Sequence, residues 1–478
     1  MDQNHAHNIP FPFIFPVTCH TDHVGLGSTF VVIQGFKTDG LLYVPLALER
    51  GASGIVVQHD VCISDSLQAL INYSKAEVIR VADTRKALAA LSAHAADYPA
   101  DKLTIVGITG TKGKTTTAFL LKHIFSQAGY RTALLSTAGN QIAGEKFPAT
   151  LTTAQPDYLH QFLKTCVDRG ITHVVMEVAA QAVTLNRVKG ILFDGIIFTN
   201  FGLEHLEFYD TLDSYFAAKC ALLAHRKGDA PIYLNADNEW CARLVKKYKS
   251  TVTFGVAAHA DNRICGIEPR SLRFELCTKN TIMQFECPAL SGTFNAYNVA
   301  ACVSLLLDKG VAPDIINQAL ACFAGVPGRF ERHHLSNGAL AIIDYAHNPL
   351  SYQALLPELR VLTNHLIVVF GAGGERDASR RPLMGALAAE FADRVVVTSD
   401  NPRSEDAGAI AEDICAGIAA DLKNKVVIEL DRHKAIEKAF SLSDAGSVIA
   451  VLGKGPDCYQ IIGSTKTDFN EVAILAAL

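Results

Sequence analysis

Short, nearly unbroken apolar runs alternate with longer stretches in which apolar residues recur every three or four positions, and this rhythm holds along most of the chain. Runs of four to eight residues have strand length, and the intervening spacing is that of amphipathic helices. In the first hundred residues, 28–33 and 54–57 read as strands, 43–51 as a helix and 35–40 as a glycine-bounded loop, with a linker at 98–101. From 102 to 324 the runs 103–108, 131–136, 172–178, 193–200 and 231–235 are apolar on both alternations. That predicts a parallel sheet covered on both faces. Residues 251–283 alternate polar and apolar, as an antiparallel insertion would. Five more strands are expected at 340–344, 366–370, 394–398, 425–430 and 447–452, with helical segments between them. The reading is an α/β chain in three parts, 1–100, 101–325 and 326–478, since 478 residues exceed one hydrophobic core.

Composition narrows the function. A formal net charge of −5 with no Lys/Arg block leaves no electrostatic footprint for a nucleic-acid polymer. Twelve cysteines are scattered without a CxxC pair, which points to a reduced cytoplasmic compartment and no structural zinc. The apolar N-terminal stretch is broken by Pro12 and Pro16 and has no basic flank, so it makes a poor signal peptide. No apolar run is long enough to span a bilayer.

The chemistry starts at Gly110-Thr111-Lys112-Gly113-Lys114-Thr115-Thr116-Thr117, between the strand at 103–108 and an amphipathic run at 116–128. Glycines in this setting let backbone N–H groups turn onto phosphate oxygens. Lys114 would reach the β/γ-phosphates and the Thr115 hydroxyl would take a place on Mg²⁺. Ile108 stands where the strict eight-residue pattern has its first glycine, and the alternative is an ordinary strand-to-helix turn. With strand and helix both in place, a nucleoside triphosphate site is the expectation.

Other strand ends carry polar groups, where open α/β sheets place ligands. Met176-Glu177-Val178 closes one strand with a carboxylate, which with Thr115 forms an oxygen pair suited to Mg²⁺. Glu204-His205-Leu206-Glu207 follows another; a lone histidine such as His205 is more often structural than a ligand. In the last third, 344–349, 371–377, 400–403 and 453–457 each follow a strand. Arg376 and Arg403 there suit an anionic substrate, because guanidinium meets carboxylate in a bidentate fork.

These motifs, with Gly292-Thr293-Phe294-Asn295-Ala296-Tyr297-Asn298, Gly328-Arg329, Asp344 to Pro349 and Asp400-Asn401-Pro402-Arg403, resemble the Mur ligase family from about Gly27 to the C-terminus. The set is most similar to that of members adding the third amino acid to UDP-N-acetylmuramoyl-L-alanyl-D-glutamate. The resemblance implies an N-terminal UDP-substrate domain, a central P-loop ATPase domain with a parallel sheet, and a C-terminal Rossmann-like domain for the amino acid. It implies ATP and Mg²⁺, small-molecule substrates, no membrane partner and a chain acting as a monomer. Gly110, Thr111, Lys112, Gly113, Lys114, Thr115 and Thr116 would cradle ATP, with Asn295 and Asn298 on the adenine side and Arg329 and Asp344 toward phosphates and ribose. Thr115, Glu177, His205 and Lys219 would serve metal ions, Lys219 as a carbamate; as a sequence feature alone, Lys219 reads equally as a solvated helix lysine. Lys114, Lys219, His205 and Glu177 form the implied catalytic set. Ser28, Thr152, Thr153 and Arg187 are candidate contacts to the UDP-linked acceptor. Arg376, Asp400, Asn401, Pro402, Arg403, Gly453 and Asp457 are those for the amino acid. Asp-Asn-Pro-Arg is typical of members using meso-diaminopimelate, whose distal carboxylate meets the arginine; a guanidinium beside a lysine ammonium would be unfavourable.

Three departures touch acceptor and amino-acid recognition. The family's Asp-Ser-Arg is His20-Thr21-Asp22 here, Glu-Val-Ser-Ser-His is Glu177-Val178-Ala179-Ala180-Gln181, and Gly-Lys-Gly-His-Glu is Gly453-Lys454-Gly455-Pro456-Asp457. The alternatives are therefore a lysine-adding enzyme, a relative acting on another carboxylate acceptor, and a nucleotide-binding regulator without catalysis. The intact Lys114, Thr115, Glu177, His205 and Lys219 disfavour the last.

Overall fold

The computed structural model describes residues 9–35, 38–202, 208–279 and 281–478. The chain forms two compact units. The first runs up to Arg263 and includes Ala300–Ile316; the second is Ile264–Val299 with Asn317–Leu478.

The first unit holds two sheets. A small all-parallel sheet takes Val17–Thr18, Thr29–Val31, Gly54–Gln58 and Glu77–Val81 in that order. The central sheet runs Thr251–Gly255, Ile232–Asn235, Gly195–Phe198, Thr104–Thr109, His173–Glu177 and Thr132–Leu135, all parallel, and ends in the antiparallel pair Asn140–Ile142 and Glu145–Phe147. The four residues of Gly195–Phe198, of Ile232–Asn235 and of Thr132–Leu135 are all buried, as the doubly apolar runs required. After His173–Glu177 the chain crosses Thr104–Thr109 to pair on its far side. The carboxyl end of Thr104–Thr109 therefore lies at a topological switch point, where such sheets leave a crevice.

The second unit is built on a six-stranded sheet ordered Glu331–His334, Leu340–Asp344, Val448–Leu452, Leu366–Phe370, Arg394–Val397 and Val426–Ile428. Only the first pairing is antiparallel. Alternate residues of one strand enter different cores: Val368 and Phe370 pack with Leu355, Met384 and Ile414, whereas Ile367 and Val369 pack with Ala435, Ile436 and Leu475. Helices thus cover both faces, and each fully buried aliphatic side chain contributes about 1.5–3 kcal/mol. Because these strands are parallel, Asp344, the loops after Phe370 and Val397, and Gly453 share one edge.

Several elements differ from the sequence reading. The alternating stretch begins with Thr251–Gly255, which extends the central sheet in parallel; the antiparallel part lies later in the stretch and includes Arg273–Cys277 paired with Ile282–Glu286. The edge strand Glu77–Val81 went unseen because it leaves much of its surface in solvent. The predicted strand at 425–430 shortens to Val426–Ile428 behind a 3-10 turn at Ala420–Lys425.

Candidate active site

In the first unit the site grows from the turn between Thr104–Thr109 and the helix Lys114–Gln127. Gly110 has φ +141°, and a Cβ there would stand 2.0 Å from Thr199 Oγ1, so only glycine passes this corner. Gly113, at φ +83°, opens the helix without a side-chain cap, and the first N–H groups of a helix find no partner within its own backbone ladder. Residues 199–202 brace the loop from behind. Asn200 Oδ1 accepts from Lys112 N at 2.9 Å, Thr199 Oγ1 donates to Lys112 O at 2.6 Å, and Thr111 N donates to Asn200 O at 2.9 Å. Lys114 Nζ donates to the carbonyls of Gly110 (2.9 Å) and Thr111 (3.1 Å). Thr116 is buried in the first turn of the helix.

Glu177 is wholly buried, and its carboxylate is held in place by hydroxyl and amide donors. Ser136 Oγ donates to Oε1 at 2.5 Å, Thr137 N to Oε1 at 3.0 Å and Thr115 Oγ1 to Oε2 at 3.1 Å. A buried anion held by these neutral donors beside a phosphate-binding turn suits a hard divalent cation, so the donor set fits Mg²⁺. Thr152 and Thr153 meet the same strand end. Thr137 Oγ1 donates to Thr152 Oγ1, Thr153 Oγ1 donates to Glu177 O at 3.0 Å, and Arg187 Nη1 donates to Thr153 O at 2.9 Å. Sequence reasoning missed Ser136, Thr137, Thr199 and Asn200; each directly follows an apolar strand, which was the available signal. Lys219 is buried, not solvated: its Nζ donates to Gly110 O at 2.7 Å and lies 4.8 Å above the Tyr215 ring. His205, with Glu204 and Glu207, lies outside the described residues.

Between the small sheet and the helix Pro156–Asp168 is a cavity of about 330 Å³ lined by Phe15, His20, His23, Phe30, Tyr43 and Tyr158, among others. Phe15 and His23 stack with centroids 4.1 Å apart, and burial pulls the His23 imidazole below its ordinary range. Asp22, standing where the resembled family has arginine, pairs with Arg50 at 2.8 Å. Ser28 is placed in a turn, its Oγ donating to Phe15 O and accepting from Gly25 N.

In the second unit, Asn295 and Asn298 are buried and joined, Asn298 Nδ2 donating to Asn295 Oδ1 at 3.0 Å. Asp344 accepts from Phe330 N and Ala346 N, both at 2.8 Å, and Arg329 lies 4.6 Å over the Tyr345 ring. Gly328 presses on Gly455 so closely that a Cβ would lie 2.2 Å from its carbonyl carbon. The turns at 328–329, 344–346 and 453–457 are thereby locked together. Asp400 and Asn401 are buried: Lys454 Nζ lies 3.3 Å from Asp400 Oδ1 and donates to Asn401 Oδ1 at 3.1 Å. They support the loop that presents Pro402 and Arg403. Arg403, at φ +54°, donates from Nη1 to Gly374 O at 2.6 Å. A Cβ on Gly373 would lie 3.3 Å from Arg403 Nη1 and 3.7 Å from Arg376 Cγ, so the two arginines flank one glycine. Gly453, at φ +113°, packs on Asp400, and burial raises the Asp457 carboxyl above its ordinary range.

This arrangement can bind a nucleotide's phosphates with a divalent cation and present guanidinium to a carboxylate. Three family descriptions match in succession: Mur ligase family, catalytic domain, over residues 16–96; Mur ligase middle domain over 108–306; and Mur ligase, glutamate ligase domain, over 328–455. The UDP-N-acetylmuramoyl-L-alanyl-D-glutamate–2,6-diaminopimelate ligase of Aquifex aeolicus is 37% identical over 96% of this chain and 92% of its own length. That of Clostridium perfringens is 35% identical over 93% and 90%. Among solved structures, a ligase of the same name superposes with a TM-score of 0.67 at 24% identity, covering 97% of this chain and 94% of that one. The MurF ligase of Thermotoga maritima in complex with ADP gives 0.65 at 20% identity, covering 95% of each. The chain belongs to the Mur ligase family.

Proposed function

We propose that this chain, an ATP-dependent ligase, joins meso-diaminopimelate to the D-Glu γ-carboxylate of UDP-N-acetylmuramoyl-L-alanyl-D-glutamate, a step in building peptidoglycan precursors. The observation that carries the ATP half is the buried Glu177 carboxylate 3.1 Å from the Thr115 hydroxyl at the foot of the phosphate turn. Arg403, half-buried on its loop beside Arg376, supports the diamino diacid, and the names of the relatives agree with it. No helix of the described residues is long and apolar enough to cross a membrane. We place the chain in the cytoplasm, acting as a monomer, where ATP and UDP-linked precursors are made. Its working parts are set at 1–100, 101–325 and 326–478.

A free carboxylate is too poor an electrophile for an amine. The γ-phosphoryl group of ATP passes to the acceptor carboxylate, ADP leaves, and the amine then displaces phosphate from the acyl phosphate through a tetrahedral intermediate. Lys114 offsets charge on the phosphoryl oxygens, and the turn's N–H groups orient them. Thr115 and Glu177, with Lys219 as a carbamate and His205, would hold Mg²⁺, which neutralises phosphate charge when bound. Asn295, Asn298, Arg329 and Asp344 would hold the nucleoside side. The 330 Å³ aromatic cavity suits the planar uracil end of the acceptor.

Product mass after incubation with ATP, the UDP-dipeptide and either meso-diaminopimelate or lysine tests the proposal. The diaminopimelate adduct with stoichiometric ADP is expected, and a lysine adduct formed in preference would overturn it. A second acceptor acid is favoured by Ala179, Ala180 and the missing arginine at Asp22, and turnover of the UDP-dipeptide dismisses it.

A further inference from the structure

Cys265 and Cys277 lie with their Sγ atoms 3.4 Å apart. They stand on Asn262–Glu268 and Arg273–Cys277, neighbouring strands of one sheet joined by the turn at 269–272. Four residues are too few for a parallel crossover, so the strands run antiparallel as a hairpin. The sulfurs are already in van der Waals contact, and a disulfide length of about 2.05 Å is reached by small side-chain rotations. Both cysteines are partly open to solvent, unlike Cys166, Cys241 and Cys287, which are buried. A soft metal ion would need more ligands, and among the described residues no three His, Cys, Asp or Glu side chains gather to hold one. The chemistry this pair favours is oxidation.

We propose that Cys265 and Cys277 form a reversible intramolecular disulfide, made by exchange with a low-molecular-weight disulfide, that locks this hairpin. One cysteine thiolate attacks the small disulfide, its S–S bond breaks, and one small thiolate leaves. The second cysteine thiolate then attacks the protein sulfur of the mixed disulfide and expels the other small thiol. Two electrons pass from the protein to the small disulfide, and the two cysteine protons end on the two departing thiols. The balance needs no other reactant.

The lock would be felt beyond the hairpin. Pro269 O accepts from Gly292 N at 2.9 Å, and Arg270 O accepts from Ser291 Oγ at 2.7 Å. Ser291 O in turn accepts from Asn295 Nδ2 at 2.7 Å. The hairpin turn therefore holds the segment that leads into Asn295 and Asn298, and fixing one fixes the approach to the other.

The test uses full-length protein equilibrated with oxidised and reduced glutathione, quenched with N-ethylmaleimide, digested and mapped by mass spectrometry. A peptide pair joined through residues 265 and 277 is expected, lighter by two hydrogens and separated by dithiothreitol. In Cys265→Ser the cross-link disappears and Cys277 carries glutathione; in Cys277→Ser the adduct falls on Cys265. Either variant suffices should the other fold poorly. Hydrogen exchange at the Gly292 amide should slow several-fold in the oxidised wild type. Separate glutathione adducts on both cysteines in the wild type, a cross-link to a different cysteine, or unchanged exchange at Gly292 would overturn the proposal. None of these readouts depends on the catalysed reaction.

Discussion

Arg432 and Glu471 form an ion pair sealed inside the second unit, with Arg432 Nε 2.7 Å from Glu471 Oε1 and both side chains almost wholly buried. The same guanidinium donates from Nη2 to Leu452 O at 2.8 Å and from Nη1 to Ser399 O at 3.4 Å. Those carbonyls lie at the start of the two loops that carry Asp400 to Arg403 and Gly453 to Asp457. One buried cation thus ties together the roots of both loops, which the proposed function assigns to the amino acid.

Removing one member of this pair leaves a charge buried without its partner, so Arg432→Ala should cost about 3–5 kcal/mol, read as a lower urea midpoint. Replacing both, Arg432→Met with Glu471→Leu, should restore most of that stability because no charge is stranded. The loop roots would still lack their donor. The double variant is therefore expected to keep a raised KM for the amino acid with an unchanged KM for the UDP-dipeptide. Equal KM values in wild type and double variant would show that the pair serves stability alone.

Gly110→Ala tests the phosphate turn more sharply than a charge deletion. An alanine at φ +141° is strained, and its methyl would collide with Thr199 Oγ1. Loss of ATP binding by titration calorimetry is expected, with activity at least about 100-fold lower, given how steeply catalysis falls when a reactant is misplaced. Adding Thr199→Ala relieves the collision but not the dihedral strain, and should not recover binding. Recovery would assign the effect to crowding alone.

His160 gives the protein an acid-side weakness. It is buried on the helix Pro156–Asp168, neither ring nitrogen meets a hydrogen-bond partner among the described residues, and burial lowers its pKa to about 4. The unfolded chain, titrating near 6.5, binds more protons than the folded one between these values, so stability rises with pH across that window. It is complete above about 6.5 and falls by roughly 3 kcal/mol as pH drops toward 4. Urea midpoints measured from pH 4 to 7 should lose this slope in His160→Leu. At neutral pH the variant should be no less stable, since an unpaired buried polar group is replaced by an apolar one. An identical pH profile in the variant would refute the assignment.

Legibility from sequence followed burial. Strands such as Gly195–Phe198 and Leu366–Phe370 announced themselves because both faces are covered, leaving no polar alternation to confuse them. Glu77–Val81 and the pair Asn140–Ile142 with Glu145–Phe147 are partly exposed or too short to show a period. At the site, Lys114, Thr115 and Glu177 were readable because short motifs encode them. What holds Glu177 was not: Ser136 and Thr137, just past the end of the strand Thr132–Leu135, reach it across 41 and 40 residues, a distance only the sheet order closes. Asp400 and Asn401 are a similar case: their motif marks them as candidate substrate contacts, but that both side chains meet Lys454 Nζ, more than fifty residues on, is visible only in the fold.

On the proposed function Arg403 selects the amino acid, and its backbone offers a clean way to test that. At φ +54° the residue sits where glycine is more comfortable than any side chain with a Cβ. Arg403→Gly removes the guanidinium without adding strain, whereas Arg403→Ala would mix charge loss with a disfavoured dihedral. A charge-assisted hydrogen bond to a carboxylate is worth about 1.5–3 kcal/mol, so KM for meso-diaminopimelate should rise roughly 10- to 150-fold, with KM for ATP unchanged. Thermal stability should stay close to wild type, since the hydrogen bond to Gly374 O is lost while the strain is relieved. Lysine, no longer facing a cation, should become a better substrate relative to diaminopimelate. If the preference between the two amino acids is unaltered in steady-state competition, Arg403 does not read the distal carboxylate and specificity must be sought at Arg376 or Asp457.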